Sequence, residues 1–274
     1  MIRIRFILNK ISLVIFFLGI PPGIFAQVSF GARGLALGGA TVALPDYNWS
    51  VLSNPALLNS KTPTLGFYGL RNYGFVEITD VSVFGSIPTQ LGVGSFAIHK
   101  YGDHLFSETR ATAGYKNDWE NLHFGVVLNY NHISFGGVYG SGGAFGMDIG
   151  ISTRITQQLW LGAKASNVNS PKYNFANSSE YLKRDLTIGL SYLMNKNVLF
   201  ALDMFKDIRY PVSFKSGLEG TLVRDFKGRV GVTTEPLTYS FGFGYEKRNW
   251  AVNMAVQQHS LLGLSPGFDL LFFF

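Results

Sequence analysis

Leu237-Thr238-Tyr239-Ser240-Phe241-Gly242-Phe243-Gly244-Tyr245-Glu246 alternates large apolar residues with small or polar ones along its whole length. In an extended chain successive side chains point to opposite faces, so Leu237, Tyr239, Phe241, Phe243 and Tyr245 share one side and Thr238, Ser240, Gly242, Gly244 and Glu246 the other. Trp250, Val252, Met254 and Val256 repeat the pattern against Ala251, Asn253, Ala255 and Gln257. So do Phe124, Val126, Leu128 and Tyr130, then Phe145, Met147, Ile149 and Ile151, then Leu186, Ile188, Leu190 and Tyr192. A soluble sandwich also alternates, but its polar face meets bulk water and favours Lys, Glu and Thr. Here that face is mostly Gly, Ser, Ala and Asn, with isolated charges such as Lys164, Lys215, Glu219 and Arg229. An apolar outer face over a small-residue inner face is the pattern of a transmembrane β-barrel with a crowded lumen.

The period of two starts at Thr64 and predicts about 14 strands, near 64–71, 78–87, 91–99, 107–116, 121–133, 143–155, 158–166, 184–194, 197–205, 212–223, 228–234, 237–246, 249–257 and 266–274. An even number suits a bacterial barrel. Connections after even-numbered strands are short: Pro88-Thr89-Gln90, Thr156-Gln157, Asn195-Lys196 and Lys247-Arg248. Those after odd-numbered strands are longer, notably 135–142, 167–183 and 258–265. Short periplasmic turns and long outer loops give this asymmetry. Trp119, Tyr130, Trp250 and Phe274 fall at strand ends, where interfacial aromatic girdles lie. The last strand carries Phe268, Leu270, Phe272 and Phe274 on one face. Gly267, Leu270, Phe272 and the terminal Phe274 resemble the signal read by the barrel-assembly machinery, which makes that machinery and outer-membrane lipid expected partners.

Composition agrees. Hydrophobic residues are 47% and charged ones 15% of 274, and no cysteine is present, which excludes disulfides, Cys-ligated zinc and a thiol nucleophile. Residues 1–26 read as a cleavable signal peptide: a basic start, an apolar stretch from Ile11 to Ile20, a Pro21-Pro22-Gly23 break and a small residue, Ala26, at the expected cut. This implies export through the Sec pathway to the outer membrane of a Gram-negative bacterium. Of the 23 basic residues, Arg3, Arg5 and Lys10 lie in this leader with none of the 17 acidic ones, so the formal +6 falls to +3 in the remainder. No nucleic-acid-binding surface is implied.

Residues 27–62 differ in character from the alternating strands, so the chain divides into signal peptide (1–26), plug (27–62) and barrel (63–274). The segment runs Gly31-Ala32-Arg33-Gly34-Leu35-Ala36-Leu37-Gly38-Gly39-Ala40, passes Asp46, and closes on Asn54-Pro55-Ala56. It is rich in Gly and Ala and does not alternate. Small residues let a backbone pack closely, so this segment is expected to enter the lumen and fill it. Arg110, Lys116, Asp148, Lys164, Asp203, Lys215, Glu219, Arg229 and Asp269 point inward with mixed signs, as expected of groups that pair with each other and with a plug rather than form a one-sign ion filter.

Gly31, Arg33, Gly38, Gly39, Ala40, Asp46, Asn54, Pro55 and Ala56 carry a resemblance to the PorV/PorQ proteins of Bacteroidota, within the wider group that resembles the FadL long-chain fatty-acid transporters; residues 259–263 look similar too. Leu57 stands where that pattern commonly has Gly. The resemblance implies a 14-stranded barrel with an N-terminal plug, and two functions. The first is a non-enzymatic accessory subunit of type IX-like protein secretion, with a secretion-complex subunit as partner. The alternative is a carrier of hydrophobic small molecules such as fatty acids. An outer-membrane phospholipase is the third reading, because His132 and Ser134 share the lipid-side face of one strand. That pair lacks an orienting acid, since the next strand offers only Phe145, Met147, Ile149 and Ile151 outward. No metal-ligand spacing appears among His99, His104, His123, His132 and His259, and the glycine-rich run 136–146 lacks the Lys-Ser/Thr of a phosphate-binding loop, so neither metal nor cofactor is expected.

Overall fold

The structure is a computed structural model and describes residues 29–136, 140–174 and 179–274. The signal peptide reading of 1–26 and the first plug residues, 27–28, lie outside the described residues. Fourteen strands close into one antiparallel barrel. They are β1 (Thr64–Arg71), β2 (Thr79–Thr89), β3 (Gly92–Gly102), β4 (Phe106–Trp119), β5 (Leu122–Phe135), β6 (Ser141–Arg154) and β7 (Leu159–Ser166), followed by β10 (Asp185–Asn195), β11 (Val198–Asp207), β12 (Ser213–Val223), β13 (Phe226–Thr234), β14 (Leu237–Glu246), β15 (Trp250–His259) and β16 (Gly263–Phe273). Two short strands, β8 (Lys172–Asn174) and β9 (Ser179–Tyr181), pair only with each other. The barrel closes where β1 pairs with β16 from Thr64 opposite Phe273 to Leu70 opposite Gly267.

Burial follows the alternation strand by strand. Tyr239, Phe241 and Phe243 are exposed on the outer wall while Thr238 and Ser240 are buried, as a barrel in lipid requires. Trp119, Tyr130, Trp250 and Phe274 are also exposed.

Three expectations about connections change. The connection expected at 258–265 is a three-residue turn, because β15 runs to His259 and β16 begins at Gly263. The His259 ring nitrogen accepts the backbone N–H groups of Leu261 (3.2 Å) and Leu262 (3.3 Å), and Gly263 takes φ +100°, so the chain reverses at once. Pro266, the first residue of the strand expected at 266–274, sits inside β16 opposite Val256. Likewise Pro88 and Thr89 continue β2, paired with Val93 and Gly92, and leave the turn to Gln90 and Leu91. The asymmetry of the two ends therefore rests mainly on 72–78 and 167–184; the connection at Glu235-Pro236 is as short as those of the opposite end.

Residues 167–184 are structured. β6 pairs with β7 only from Ile149 to Arg154, which leaves the rest of that edge of β6 unpaired while its other edge stays on β5. The loop covers that edge. Val168 N–H donates to Met147 O (2.9 Å), and the Asn169 side chain accepts from Met147 N–H (2.9 Å) and donates to Phe145 O (2.8 Å). The β8–β9 hairpin then brings Tyr173 and Leu182 against inward-facing Ala144 and Ile133, across one end of the barrel.

Candidate functional site: the plugged lumen

Inside the barrel the N-terminal segment forms α1 (Ala32–Ala36) and two short 3-10 turns, Asn48–Leu52 and Pro55–Leu57. It fills the lumen at mid-height. Leu35, Leu37, Leu44, Trp49 and Leu58 are all but fully buried and meet Tyr68, Phe84 and Leu271 of the wall. Trp49 packs its indole edge-on to Phe84 at 4.6 Å and tilts over Tyr68 at 5.6 Å.

The wall makes room for this chain with inward glycines. A Cβ on Gly231 would collide with Gly38 N and Leu37 C and lie 2.8 Å from Ala36 O; one on Gly217 would lie 2.7 Å from Leu37 O. Gly125 and Gly150 similarly face Pro55, and Gly162 faces Val42 and Ala43. The small-residue face seen in the sequence is thus a furrow for plug backbone.

Polar groups fasten the plug to strands all round the barrel. Asp269 on β16 accepts from Ala32 N–H (2.7 Å), and Asp203 on β11 accepts from both Thr41 N–H (2.7 Å) and Val42 N–H (2.9 Å). Ser191 donates to Ala43 O (2.7 Å), Thr233 to Gly38 O (2.7 Å) and Lys116 to Leu58 O (3.1 Å). Arg33 grips Glu219 with two bonds, 2.8 and 2.9 Å, while Arg229 reaches the same carboxylate at 2.6 Å. Arg229 then donates to Asn253 (2.8 Å), which donates to Asp269 (2.7 Å). Bidentate, charge-assisted bonds of this kind are the strong ones.

Each residue singled out in the sequence has a definite place. Gly31 (φ +77°) lies directly against the Trp49 ring, and Gly38 (φ +64°) against the Val232 backbone, 2.8 Å from a virtual Cβ. Gly39 (φ +79°) lies against Ser29 and Lys215, and Ala40 is buried. Asn54 donates to Val42 O (2.6 Å) and Ile151 O (3.2 Å) and accepts from Ala56 N–H (3.1 Å), so it ties the middle of the plug and its exit to β6; Pro55 starts the following turn. Asp46 is exposed at the short-turn end and pairs with Lys61 at 2.9 Å. Gly267 faces inward 2.8 Å from Leu35, whereas Leu270 and Phe272 are half-buried on the outer side and Phe274 is exposed. Of the inward charges, Lys164 pairs with Asp148 (3.3 Å) and Arg110 donates to Asn131 (2.8 Å). His132 stacks on Tyr130, and among the described residues no acid bonds to it.

Sequence reasoning missed two groupings. Asp80 and His99 form a buried pair at 2.6 Å, with Asn72 on the second carboxylate oxygen (2.6 Å) and Phe30 edge-on to the imidazole. Lys183, Phe205 and Lys215 also converge. Alternation showed which of the strand residues point inward; it could not show that strand register brings them together.

The plug divides the lumen into two chambers. The one at the short-turn end holds about 780 Å³ and is lined chiefly by polar groups, including Arg33, Asp46 and Glu219. The one at the long-loop end holds about 400 Å³ and mixes Phe30, Val42, Leu52 and Ile133 with Lys164, Lys183 and Lys215. Lys183 lies in the connection before β10, where burial lowers its affinity for a proton and the carboxylates of Asp185 and Asp207 oppose that effect.

A closed barrel with an apolar outer wall, a polar inner face and a folded N-terminal plug defines the class of plugged transmembrane β-barrels. Within that class the chain has the FadL-type fold. It is similar to the toluene transporter TodX of Pseudomonas putida (TM-score 0.64, 14% identity, covering 90% of this chain and 97% of that one). It is similar also to the CymD monoaromatic hydrocarbon channel (0.65, 13%, 91% and 99%) and to a FadL homologue of Pseudomonas aeruginosa (0.62, 9%, 90% and 98%). At these identities the likeness is one of fold. No protein-family model and no curated protein matches the chain.

Proposed function

We propose that this protein is an outer-membrane channel for hydrophobic small molecules, exported with the 1–26 leader removed and oriented with its long loops outside. The observation that carries the reading is the lumen. An apolar septum built by Leu35, Leu37, Leu44 and Trp49 shuts off water and ions at mid-height, while the chamber at the long-loop end stays partly apolar. An open hydrophilic pore is the wrong device for such a wall; a sealed barrel whose loop-end chamber sets apolar surface beside charged groups suits cargo with an apolar body. The neighbours of like fold are described as a toluene transporter and a monoaromatic hydrocarbon channel, which supports transport rather than catalysis.

The accessory-subunit reading stands only on the sequence resemblance of Gly31–Ala56 and residues 259–263, and for that reason we place it second. The test is uptake of radiolabelled toluene by a Gram-negative host without channels of its own for such compounds. Expression should raise the initial rate, and an Asn54→Ala, Asp203→Asn double variant that loosens the plug should change it. Equal uptake with and without the protein would overturn the channel reading.

A further inference from the structure

Two lysines in the long-loop chamber have a common target. Lys183 Nζ stands 4.6 Å and Lys215 Nζ 4.7 Å from the centre of the same ring, Phe205. Lys183 comes from the connection before β10 and Lys215 from β12, so two separate parts of the chain bring their ammonium groups to one ring on the strand between them. Among the described residues neither Nζ donates a hydrogen bond within 3.5 Å or has a carboxylate oxygen within 4.0 Å.

Four of the carboxylates around them each hold another group, although the second oxygens of Asp203 and Asp207 are buried without a hydrogen bond among the described residues. Asp148 holds Lys164 and the Asn167 N–H (2.9 Å), and Asp185 accepts from Ser166 (3.0 Å). Asp207 accepts from the Arg209 N–H (2.8 Å). Asp203 spends one oxygen on two plug N–H groups, and its other oxygen lies against Gly189 in the wall rather than in the chamber. Gly39 of the plug, which has no side chain, lets the Lys215 stem lie along it, 3.3 Å from where a Cβ would be.

We propose that this chamber binds small organic carboxylates with an aromatic body, the carboxylate drawn to the two ammonium groups that flank Phe205, Lys183 and Lys215, and the ring against Phe30, Val42 and Leu52. This rests on the channel reading for its biological sense and goes beyond it in naming an anion. A neutral hydrocarbon can use the apolar part of the chamber but leaves both ammonium groups without a counter-charge, whereas a carboxylate answers them. The volume of about 400 Å³ lies near the small end of ligand sites, about 300–1,000 Å³, and favours a single-ring acid over a long chain.

The test is calorimetry on the purified full-length barrel with sodium benzoate as probe, and with toluene, benzamide and acetate for comparison. Benzoate should bind more tightly than any of the three, since each of them lacks either the charge or the ring. Lys183→Met and Lys215→Met should each weaken benzoate about tenfold or more, and leave toluene unchanged or tighter. Lys183 lies outside the barrel strands, so its variant keeps the test valid if Lys215→Met fails to assemble. Benzoate binding no tighter than benzamide, or unaffected by Lys183→Met, would overturn the proposal. If toluene enters cells while benzoate does not bind, the anion site falls and the channel stands; if benzoate binds but nothing is taken up, the reverse holds.

Discussion

Gly231→Ala should loosen the plug without harming the barrel. Gly231 is an inward residue of β13, in ordinary extended backbone, so alanine suits the strand itself. Its new Cβ, however, would run into Gly38 N and Leu37 C and come within 2.8 Å of Ala36 O, all backbone atoms with no rotamer to relieve them. Overpacking of this sort costs about 1–3 kcal/mol. If the turn at Gly38 retreats, the bond from Thr233 to Gly38 O (2.7 Å) is lost, for about 1 kcal/mol more. A total of roughly 2–4 kcal/mol raises the population of displaced plug about 30- to 700-fold, at 1.4 kcal/mol per factor of ten. Single-channel conductance in planar bilayers reads this directly as brief openings that the parent lacks. Gly220→Ala is the control, because nothing lies within 4 Å of that Cβ. Heat-modifiable mobility on gels should be normal for both. A Gly231→Ala barrel as silent as the parent and equally stable would mean that the furrow does not hold the plug, and the reasoning from close backbone approach would fail.

Other expectations concern the anchors, the seam and the ends. Asp203→Asn keeps the size of the side chain but weakens the acceptor for Thr41 N–H and Val42 N–H, and should increase proteolysis of the plug while the barrel remains folded. Asn169→Ala removes both side-chain bonds that cover Met147 and Phe145 of β6, at about 1–3 kcal/mol, and should speed amide exchange in the loop-side half of β6 but not in β5; unchanged exchange would refute the covering role. Deleting the last three residues, Phe272, Phe273 and Phe274, removes the Phe273–Thr64 pair and the bond from Phe274 N–H to Pro63 O (3.1 Å), and should leave degraded material instead of assembled barrel. An epitope inserted between Ala176 and Asn177 should label on intact cells; labelling only after permeabilisation would invert the proposed orientation.

The period of two from Thr64 onward was enough to establish a barrel, its strand number and which residues face lipid, because side-chain direction in an extended chain depends only on parity. Parity likewise identified Asp203, Glu219, Arg229 and Asp269 as inward charges, and the non-alternating, small-residue run through Gly38 and Gly39 as a segment of another kind. Where a strand stops is a different matter. Pro88 looks like a break, yet it lies in a strand whose neighbour tolerates it, and the His259 ring supplies the turn that a sequence cannot show. Partners could not be read either. That Arg33 meets Glu219, that Asp80 meets His99 and that Lys183 and Lys215 share Phe205 depends on register between strands and on loops folding back. A residue's face is a local property of the backbone; what stands opposite that face is decided only when the sheet closes and the plug is seated.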